Sequence, residues 1–212
     1  DQIFSYAMSR LRSMPPPPVK SDKKVAVIGA GPCGLTAAFF LRQAGYNVEV
    51  FEELKEPGGM SAVGIPDYRL PRDIIRAEVD RIAKTGVKFH YGVRIGKDKT
   101  LRELRAEFDA VLIAIGAHGS KRVGMEGEET RPYGLIAGVT FLRDLNLLHP
   151  QGKFERPKGN HVVVVGGGNV AMDCARSARR LGYPKVSVVY RRTEKEMPAD
   201  SEEIRDAKHE GI

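Results

Sequence analysis

The chain has 212 residues, 42% of them hydrophobic and 29% charged, enough for one large domain or two small ones with a real core. Its two cysteines are too few for a disulfide framework, or for a four-cysteine cluster held by this chain alone. There is no membrane-length apolar run and no signal-peptide pattern, and the five histidines are scattered, so we expect a cytoplasmic protein without a metal site. The net charge of +7 favours an anionic partner.

Both ends of the sequence look like cuts. Residue 1 is Asp and the chain stops just after a helical pattern, so we expect a piece of a longer protein. Residues 1–12 place Ile3, Ala7 and Leu11 on one face and predict a short amphipathic helix, followed by prolines 15 to 18 as a stiff spacer. Two interpretations stay open: a surface helix folded back on its own domain, or an arm that docks on a partner.

The segment from residue 25 to residue 52 has the pattern of strand, glycine turn, helix and strand. An apolar run at 25–28 leads into the turn GAGPCG at 29–34, a helical pattern covers 35–44, and a second strand covers 48–52. The same order returns at 162–190, with the turn GGGNVA at 166–171. Gly29 and Gly166 are 137 residues apart, as are Gly45 and Gly182. This internal repeat predicts an α/β protein with two Rossmann-like dinucleotide-binding domains.

Between the two copies the pattern predicts two helices and two strands. An apolar face over 74–82 predicts a helix, and alternation over 87–91 predicts a strand. Thr100 and Glu103 form a capping box that opens the next helix. The apolar run at 109–116 predicts a buried parallel strand. A polar stretch at 151–160 marks a plausible domain boundary.

Each glycine turn has the spacing that binds the pyrophosphate of a dinucleotide. The backbone must approach the phosphates closely and offer them the free N–H groups of a helix N-terminus, so side chains are excluded there. The positions concerned are Gly29, Gly31 and Gly34 in the first copy and Gly166, Gly168 and Ala171 in the second. A lone motif of this kind is weak, but here each copy follows an apolar strand and opens a helix.

The second strand of each copy predicts which ribose is bound. The first copy ends in Glu52, whose carboxylate accepts a hydrogen bond from a ribose 2′-hydroxyl and repels a 2′-phosphate, so it should hold FAD or NAD. The second copy has Arg191 and Arg192 there, which suit the 2′-phosphate of NADP; the alternative is that both are solvated surface charges. Opposite preferences in one chain indicate a flavin enzyme that is supplied by NADPH.

Several longer segments make the chain similar to a known family. VIGAGPCGL at 27–35 resembles flavoproteins of the glutathione-reductase type. More specific are PGGM at 57–60, GIPDYRLP at 64–71, VGGGNVAMD at 165–173, and YRR followed by MPA at 190–199. Together they resemble the glutamate synthase small (β) subunit family, whose relatives include the NADPH-oxidising part of dihydropyrimidine dehydrogenase and the flavin subunit of NADH-dependent ferredoxin:NADP oxidoreductase. The resemblance covers residues 24 to 212.

The resemblance implies a glutathione-reductase-type FAD domain over 25–150 and part of an NAD(P)H domain over 151–212, after an N-terminal helix and linker over 1–24. It implies these FAD contacts: Gly29, Gly31, Pro32, Gly34, Glu52, Gly58, Gly59, Met60, Arg69, Leu70, Ile95, Gly116 and Ala117. It implies these NADPH contacts: Gly166, Gly168, Asn169, Val170, Arg191 and Arg192.

In that family, electrons pass from NADPH to FAD and then to iron–sulfur clusters. Residues 1–24 contain no cysteine, so the clusters are expected on missing sequence or on a redox subunit of a hetero-oligomeric complex. Hydride transfer needs no side-chain proton donor, so no catalytic residue is assigned, Tyr68 and His118 included. Without a CxxC motif there is no redox disulfide, and no nucleic-acid motif is present. A structural nucleotide-binding subunit and a stand-alone ferredoxin or quinone reductase remain alternatives.

Overall fold

The computed structural model describes residues 16–120, 122–130 and 132–212; the predicted N-terminal helix over 1–12 lies outside them. The described chain forms two compact units. The first contains residues 16–62 and Leu70–Ala117, and the second contains Val63–Arg69 and His118–Ile212. The domain boundaries predicted at residues 24 and 150 stay predictions. The two compact units divide after residue 117, and a helix over 138–148 packs with the second of them.

The first unit is built on a four-stranded parallel sheet. Its strands are β1 (Lys24–Ile28), β2 (Asn47–Glu52), β3 (Lys88–Tyr91) and β4 (Ala110–Ile113), in the order β3-β2-β1-β4. The helices are α1 (Pro32–Gln43), α2 (Met60–Val63), α3 (Arg72–Lys84) and α4 (Leu101–Glu107). The predicted capping box is present at the start of α4, where the Thr100 side chain accepts from the Glu103 N–H. This sheet order carries the β1–α1–β2 unit at its centre.

The core of the first unit lies on both faces of β1 and β2. Val27, Val48 and Val50 are fully or almost fully buried, as is Leu104 of α4 on the opposite face. The prediction that the strand near 109–116 is buried is wrong. It is parallel to β1 as predicted, but Ile113 is 58% exposed. The reason is its edge position, since β1 is the only described strand that pairs with it.

The second unit contains the second copy of the repeat. Its elements are α5 (Gly138–Leu148), β5 (His161–Val165), α6 (Asn169–Arg180), β6 (Lys185–Val189) and α7 (Ser201–His209), and β5 pairs with β6 in parallel. The predicted repeat is present in the structure, and the same backbone hydrogen bond occurs in both copies. The Gly29 N–H donates to the Phe51 carbonyl at 2.8 Å, and the Gly166 N–H donates to the Val189 carbonyl at 2.9 Å.

The described helices are short. The longest, α3, has 13 residues. Among the residues that the structure describes, no helix combines the length and the apolar character needed to cross a membrane. The helix α5 was not predicted from the sequence, and its inner face is marked by Leu142, which is 1% exposed.

Candidate dinucleotide sites

The first and last glycines of the first turn, Gly29 and Gly34, have no room for a side chain. Gly29 has φ of 106°, and a Cβ there would lie 2.4 Å from the Ala114 carbonyl oxygen. A Cβ on Gly34 would lie 1.9 Å from the Gly29 carbonyl oxygen, where α1 starts close against the end of β1. Pro32 begins the helix, with a ring that fits the first helical position. The turn therefore presents bare backbone at a helix N-terminus, which fits a pyrophosphate.

A second glycine pair packs on this turn. The Gly58 N–H donates to the Ala30 carbonyl at 2.8 Å, and a Cβ on Gly59 would lie 2.8 Å from the Gly31 Cα. The segment 58–59 thus lies directly against the turn, with Met60 following as the first residue of α2. The structure brings the predicted residues Gly31, Gly58 and Gly59 together.

Glu52 is buried and faces the same turn. The residue is only 7% exposed. Glu52 Oε2 accepts a hydrogen bond from the Ala30 N–H at 2.7 Å, and Oε1 accepts one from the Leu54 N–H at 2.9 Å. A carboxylate oxygen has two lone pairs, so this arrangement leaves acceptor capacity for a ribose hydroxyl. The position of Glu52 beside the glycine turn fits the FAD or NAD preference inferred for the first copy.

The remaining residues predicted to contact FAD are spread over the first unit and the 63–69 segment. Ile95 packs on the cluster around Phe51 and Leu104, on the face of the sheet that α4 covers. Gly116 and Ala117 are exposed just beyond β4, and Leu70 is half-buried. Their roles toward FAD stay predictions.

The second glycine turn repeats the first with different details. Gly166 and Gly168 lie between β5 and α6, and Ala171 is 8% exposed in the first turn of the helix. Gly166 has a φ of 144°, and a Cβ built on it would lie 3.4 Å from the Cβ of Ala171, so the alanine packs next to this glycine. Val170 is exposed at the helix start. The bare backbone at the N-terminus of α6 again fits a pyrophosphate.

Arg191 and Arg192 follow β6 and stand apart from the other arginines of this βαβ region. Both are exposed, and no described residue forms a hydrogen bond or an ion pair with either guanidinium. In contrast, each other arginine between residues 161 and 212 has a hydrogen-bonded partner; they are Arg176, Arg179, Arg180 and Arg205. Two unpaired guanidiniums just past the strand end fit an anionic group such as a 2′-phosphate.

The loop between β6 and α7, residues 190–200, closes back on the second glycine turn; we call it the arginine loop. The Ala199 N–H donates to the Gly167 carbonyl at 3.0 Å, and the Asp200 N–H donates to Asn169 Oδ1 at 2.8 Å. Sequence reasoning predicted a phosphate contact for Asn169 and gave no role to Gly167 or Asp200. The only available signal was the middle glycine of GGGNVA, Gly167, which the dinucleotide motif itself does not need.

Arg69 was predicted to contact FAD, and the structure places its guanidinium in an ion-pair cluster of the second unit. Arg69 Nη1 lies 2.9 Å from both carboxylate oxygens of Asp173, and Nε lies 2.9 Å from Glu203 Oε1. Glu203 also accepts from Arg176 Nη1 at 2.7 Å. Burial raises the pKa of Asp173, while the hydrogen bond from Arg69 opposes that rise. The role of Arg69 toward FAD stays a prediction.

Tyr68 lies beside this cluster with its ring against two guanidiniums. The ring centroid is 3.9 Å from Arg180 Cζ and 5.1 Å from Arg176 Cζ, and the phenol oxygen is buried. Burial, and secondarily the Asp173 carboxylate, raise the pKa of Tyr68 to about 12. The phenol therefore stays protonated at neutral pH and is a poor general base.

The two cysteines are both free and lie in different units of the chain. Cys33 is exposed at the start of α1 in the first unit, and Cys174 is buried in α6 of the second. Burial, and secondarily the Asp173 charge, raise the pKa of Cys174 to about 12, so this thiol does not ionise near neutral pH. The sulfur of Cys174 contacts the Gly138 carbonyl at 3.5 Å and packs α6 on α5.

Comparison with known proteins relates this arrangement to flavoenzymes. Residues 23–211 match the family described as pyridine nucleotide-disulphide oxidoreductase. The chain is 53% identical over 194 residues to the β subunit of an NADP(+)-dependent formate dehydrogenase from Moorella thermoacetica, covering 92% of this chain and 27% of that protein. It is 35% identical over 199 residues to the small chain of NADPH glutamate synthase from Escherichia coli, covering 91% and 42%. The chain therefore spans about a quarter of the first of these two relatives and about two-fifths of the second.

A solved structure supports the fold. FprA of Mycobacterium tuberculosis in complex with NADPH superposes with a TM-score of 0.75 at 25% identity, over 90% of this chain and 48% of that one. The predicted fold class, the predicted resemblance to the glutamate synthase small subunit and the predicted class of enzyme, an oxidoreductase, are confirmed. NADPH, which is bound to FprA in that structure, is one of the two predicted cofactors.

Proposed function

Since the chain belongs to the pyridine nucleotide-disulphide oxidoreductase family, we propose that it is part of an enzyme that takes a hydride from NADPH onto FAD. The first glycine turn holds FAD and the second holds NADPH. The observation that carries this assignment is the contrast at the end of the second strand of each repeat. Glu52 is a buried carboxylate at the first turn, whereas Arg191 and Arg192 are unpaired cations beyond the second strand.

The charge contrast determines which nucleotide each turn accepts. A 2′-phosphate beside Glu52 would place two negative groups together in a region that is closed to water, so the first turn is restricted to an adenosine with a free 2′-hydroxyl. The guanidiniums of Arg191 and Arg192 supply fork-shaped donors that match a phosphate. When it is bound, FAD accepts the hydride as two electrons and can pass them on singly. The residues of this chain bind and orient the two nucleotides.

The electrons then leave for an iron–sulfur centre carried by another subunit or by another part of the same protein. The two cysteines are both free, and two are too few to hold an iron–sulfur cluster, so an external acceptor is expected. The relatives named above are a β subunit and a small chain. Both names are those of components of multi-subunit enzymes, and this favours a hetero-oligomeric redox partner.

The test is anaerobic reduction of the flavin in the purified full-length protein, with NADPH and NADH compared at the same ionic strength. We expect NADPH to bleach the flavin absorbance at lower concentration than NADH. In the double variant Arg191→Ala/Arg192→Ala the Kd for NADPH should rise about tenfold or more, because charge-assisted hydrogen bonds contribute about 1.5–3 kcal/mol each. The Kd for NADH should stay unchanged.

Three results would each contradict a part of the proposal. A protein without a flavin spectrum, or a flavin that neither nucleotide reduces, would refute hydride transfer. An unchanged NADPH affinity in the double variant would refute the 2′-phosphate assignment alone. As a matched control, the double variant Lys195→Ala/Arg205→Ala removes two cations from the same region and should leave the preference intact.

A further inference from the structure

We propose that Gly167 and Asn169 are positioning residues for NADPH selectivity, which hold the arginine loop against the second glycine turn. This inference rests on the proposed function, because it assumes that Arg191 and Arg192 bind the 2′-phosphate. It assigns a role to two residues that would not themselves contact that phosphate.

The first observation is the absence of space at Gly167. A Cβ on this residue would lie 2.6 Å from Tyr190 Cδ2 and 2.8 Å from Cε2, so the tyrosine ring occupies the space that a side chain here would need. Gly167 does not have a positive φ, so the backbone conformation itself would allow alanine. A side chain at position 167 would therefore displace the ring of Tyr190, the residue that directly precedes Arg191.

The second observation is that the far end of the arginine loop is fixed to the same turn. The Ala199 N–H binds the Gly167 carbonyl, and the Asp200 N–H binds Asn169 Oδ1. Asp200 is also the N-cap of α7, where its side chain accepts the Glu202 N–H at 2.9 Å. One side-chain hydrogen bond therefore joins the start of α6 to the start of α7.

The middle of the loop is held as well, while its two arginines are left free. Thr193 and Glu196 form a capping box, the Tyr190 hydroxyl donates to the Glu196 carbonyl at 3.1 Å, and Lys208 pairs with Glu194 at 2.7 Å. The loop is thus a fixed frame with contacts at both ends and in the middle. Arg191 and Arg192 extend from this frame without partners among the described residues.

The consequence for selectivity follows from the geometry of NADP. Its pyrophosphate and its 2′-phosphate belong to one molecule, so a protein that reads both must keep the two binding elements in register. A loose loop would still attract the extra phosphate by charge, but exposed charges are screened by salt and lose the fork geometry that makes arginine contacts strong. Loosening the loop should therefore weaken NADP binding and leave NAD binding almost unchanged.

The test compares Gly167→Ala and Asn169→Ala in the full-length protein, with Gly119→Ala as the matched control. Gly119 has no heavy atom within 4 Å of a built Cβ and no positive φ, so its variant should behave as wild type. Isothermal titration calorimetry at fixed salt gives the Kd of NADP⁺ and of NAD⁺ for each variant. We expect the ratio of the two constants to shift about tenfold toward NAD⁺ in both variants, the size of one lost charge-assisted contact.

Hydrogen–deuterium exchange provides a readout that is independent of nucleotide binding. The amides of residues 190–200 should exchange faster in both variants and remain as in wild type in Gly119→Ala. If Gly167→Ala does not fold, Asn169→Ala still decides the question, because Asn169 is an exposed residue whose loss removes one hydrogen bond.

The outcomes separate this inference from the proposed function. Equal weakening of NADP⁺ and NAD⁺ in Asn169→Ala would show that this side chain contacts the shared pyrophosphate, and would overturn the positioning role. A wild-type ratio in both variants, together with a collapsed ratio in Arg191→Ala/Arg192→Ala, would overturn the inference and leave the proposed function standing. A wild-type ratio in the arginine variant would overturn both.

Discussion

At the scale of single residues, the carboxylate of Glu52 has two roles: it holds the backbone of the first glycine turn, and it is proposed to bind the ribose. Its two oxygens accept hydrogen bonds from the Ala30 and Leu54 N–H groups. Both oxygens are therefore needed to fix the turn before any nucleotide binds. In Glu52→Gln one oxygen is replaced by an NH₂ group that faces a backbone donor. We expect the free energy of unfolding to fall by about 1–3 kcal/mol, the cost of leaving a buried donor unsatisfied. Urea titration of the full-length protein measures this loss, and the bound flavin content should fall with it.

The control for Glu52 is its neighbour. Glu53→Gln changes the same functional group, but Glu53 forms an exposed pair with Arg94 at 3.3 Å, so its replacement should cost less than about 0.5 kcal/mol. A stable Glu52→Gln variant with full flavin content would contradict the double role of Glu52.

The sequence predicted the position of Glu52 and could not predict its hydrogen bonds. The spacing of 18 residues from Gly34 identified the residue because parallel strands end at the same edge of a sheet. The backbone contacts of Ala30 and Leu54 depend on local loop geometry, which has no residue signature. The same limit applies to Gly167, where only the contact with the Tyr190 ring explains the glycine.

At the scale of elements, the repeat could be predicted from the sequence, whereas the position of β4 at the edge of its sheet could not. The βαβ units follow from local periodicity, and a capping box such as that of Thr100 needs only residues three apart. The exposure of β4 depends on which strands lie beside it, and an apolar run has the same pattern in a central strand and in an edge strand. The helix α5 was missed because its polar residues obscure a short apolar face.

The contact between α6 and the end of α7 is expected to make the free energy of unfolding depend on pH. Glu210 accepts hydrogen bonds from Arg176 Nε at 2.9 Å and from Arg180 Nη2 at 2.8 Å. Partial burial raises the pKa of Glu210, but the hydrogen bonds from the two arginines outweigh it, and the pKa is lowered. A lowered pKa means that the carboxylate stabilises the folded chain above the pKa of the unfolded state. This contribution is lost as the pH falls through the folded pKa.

We therefore expect Glu210→Gln to lower the free energy of unfolding by about 1 kcal/mol at neutral pH. The difference from wild type should shrink as the pH falls from about 5 to about 3, around and below the ordinary glutamate pKa. Urea titrations at several pH values measure it. Glu202→Gln serves as the control, because the pair of Glu202 with Arg205 is largely exposed and should contribute little. A difference that persists unchanged at pH 3 would show that Glu210 acts through its shape and not through its charge.

At the scale of the whole molecule, the chain leaves the first unit at residue 63 and returns to it at residue 70. The segment between them is part of the motif GIPDYRLP, and it belongs to the second unit through three kinds of contact. Arg69 pairs with Asp173 and Glu203, Tyr68 lies against Arg180, and the Asn146 side chain donates to the Val63 and Ile65 carbonyls. No local pattern could predict the Arg69–Asp173 pair, since its members are 104 residues apart.

Arg69 could stabilise the second unit or contact FAD, and variants of Arg69 tell these two roles apart. In Arg69→Met the buried carboxylate of Asp173 loses its partner, and we expect the free energy of unfolding to fall by about 1–3 kcal/mol. The loss should be smaller when Asp173 is already replaced in Asp173→Asn, because the two residues act as one pair. Urea titration of the two single variants and the double variant measures this coupling.

The flavin content of the same variants then decides the second role. If Arg69 acts through Asp173, Arg69→Met and Asp173→Asn should retain the same amount of FAD, measured by flavin absorbance per protein after gel filtration. If Arg69 binds FAD directly, as the family resemblance implies, only Arg69→Met should lose flavin, and the two effects should be independent. Because burial already raises the pKa of Asp173, removal of Arg69 should raise it further. The stability lost in Arg69→Met should therefore diminish as the pH is lowered and Asp173 becomes neutral.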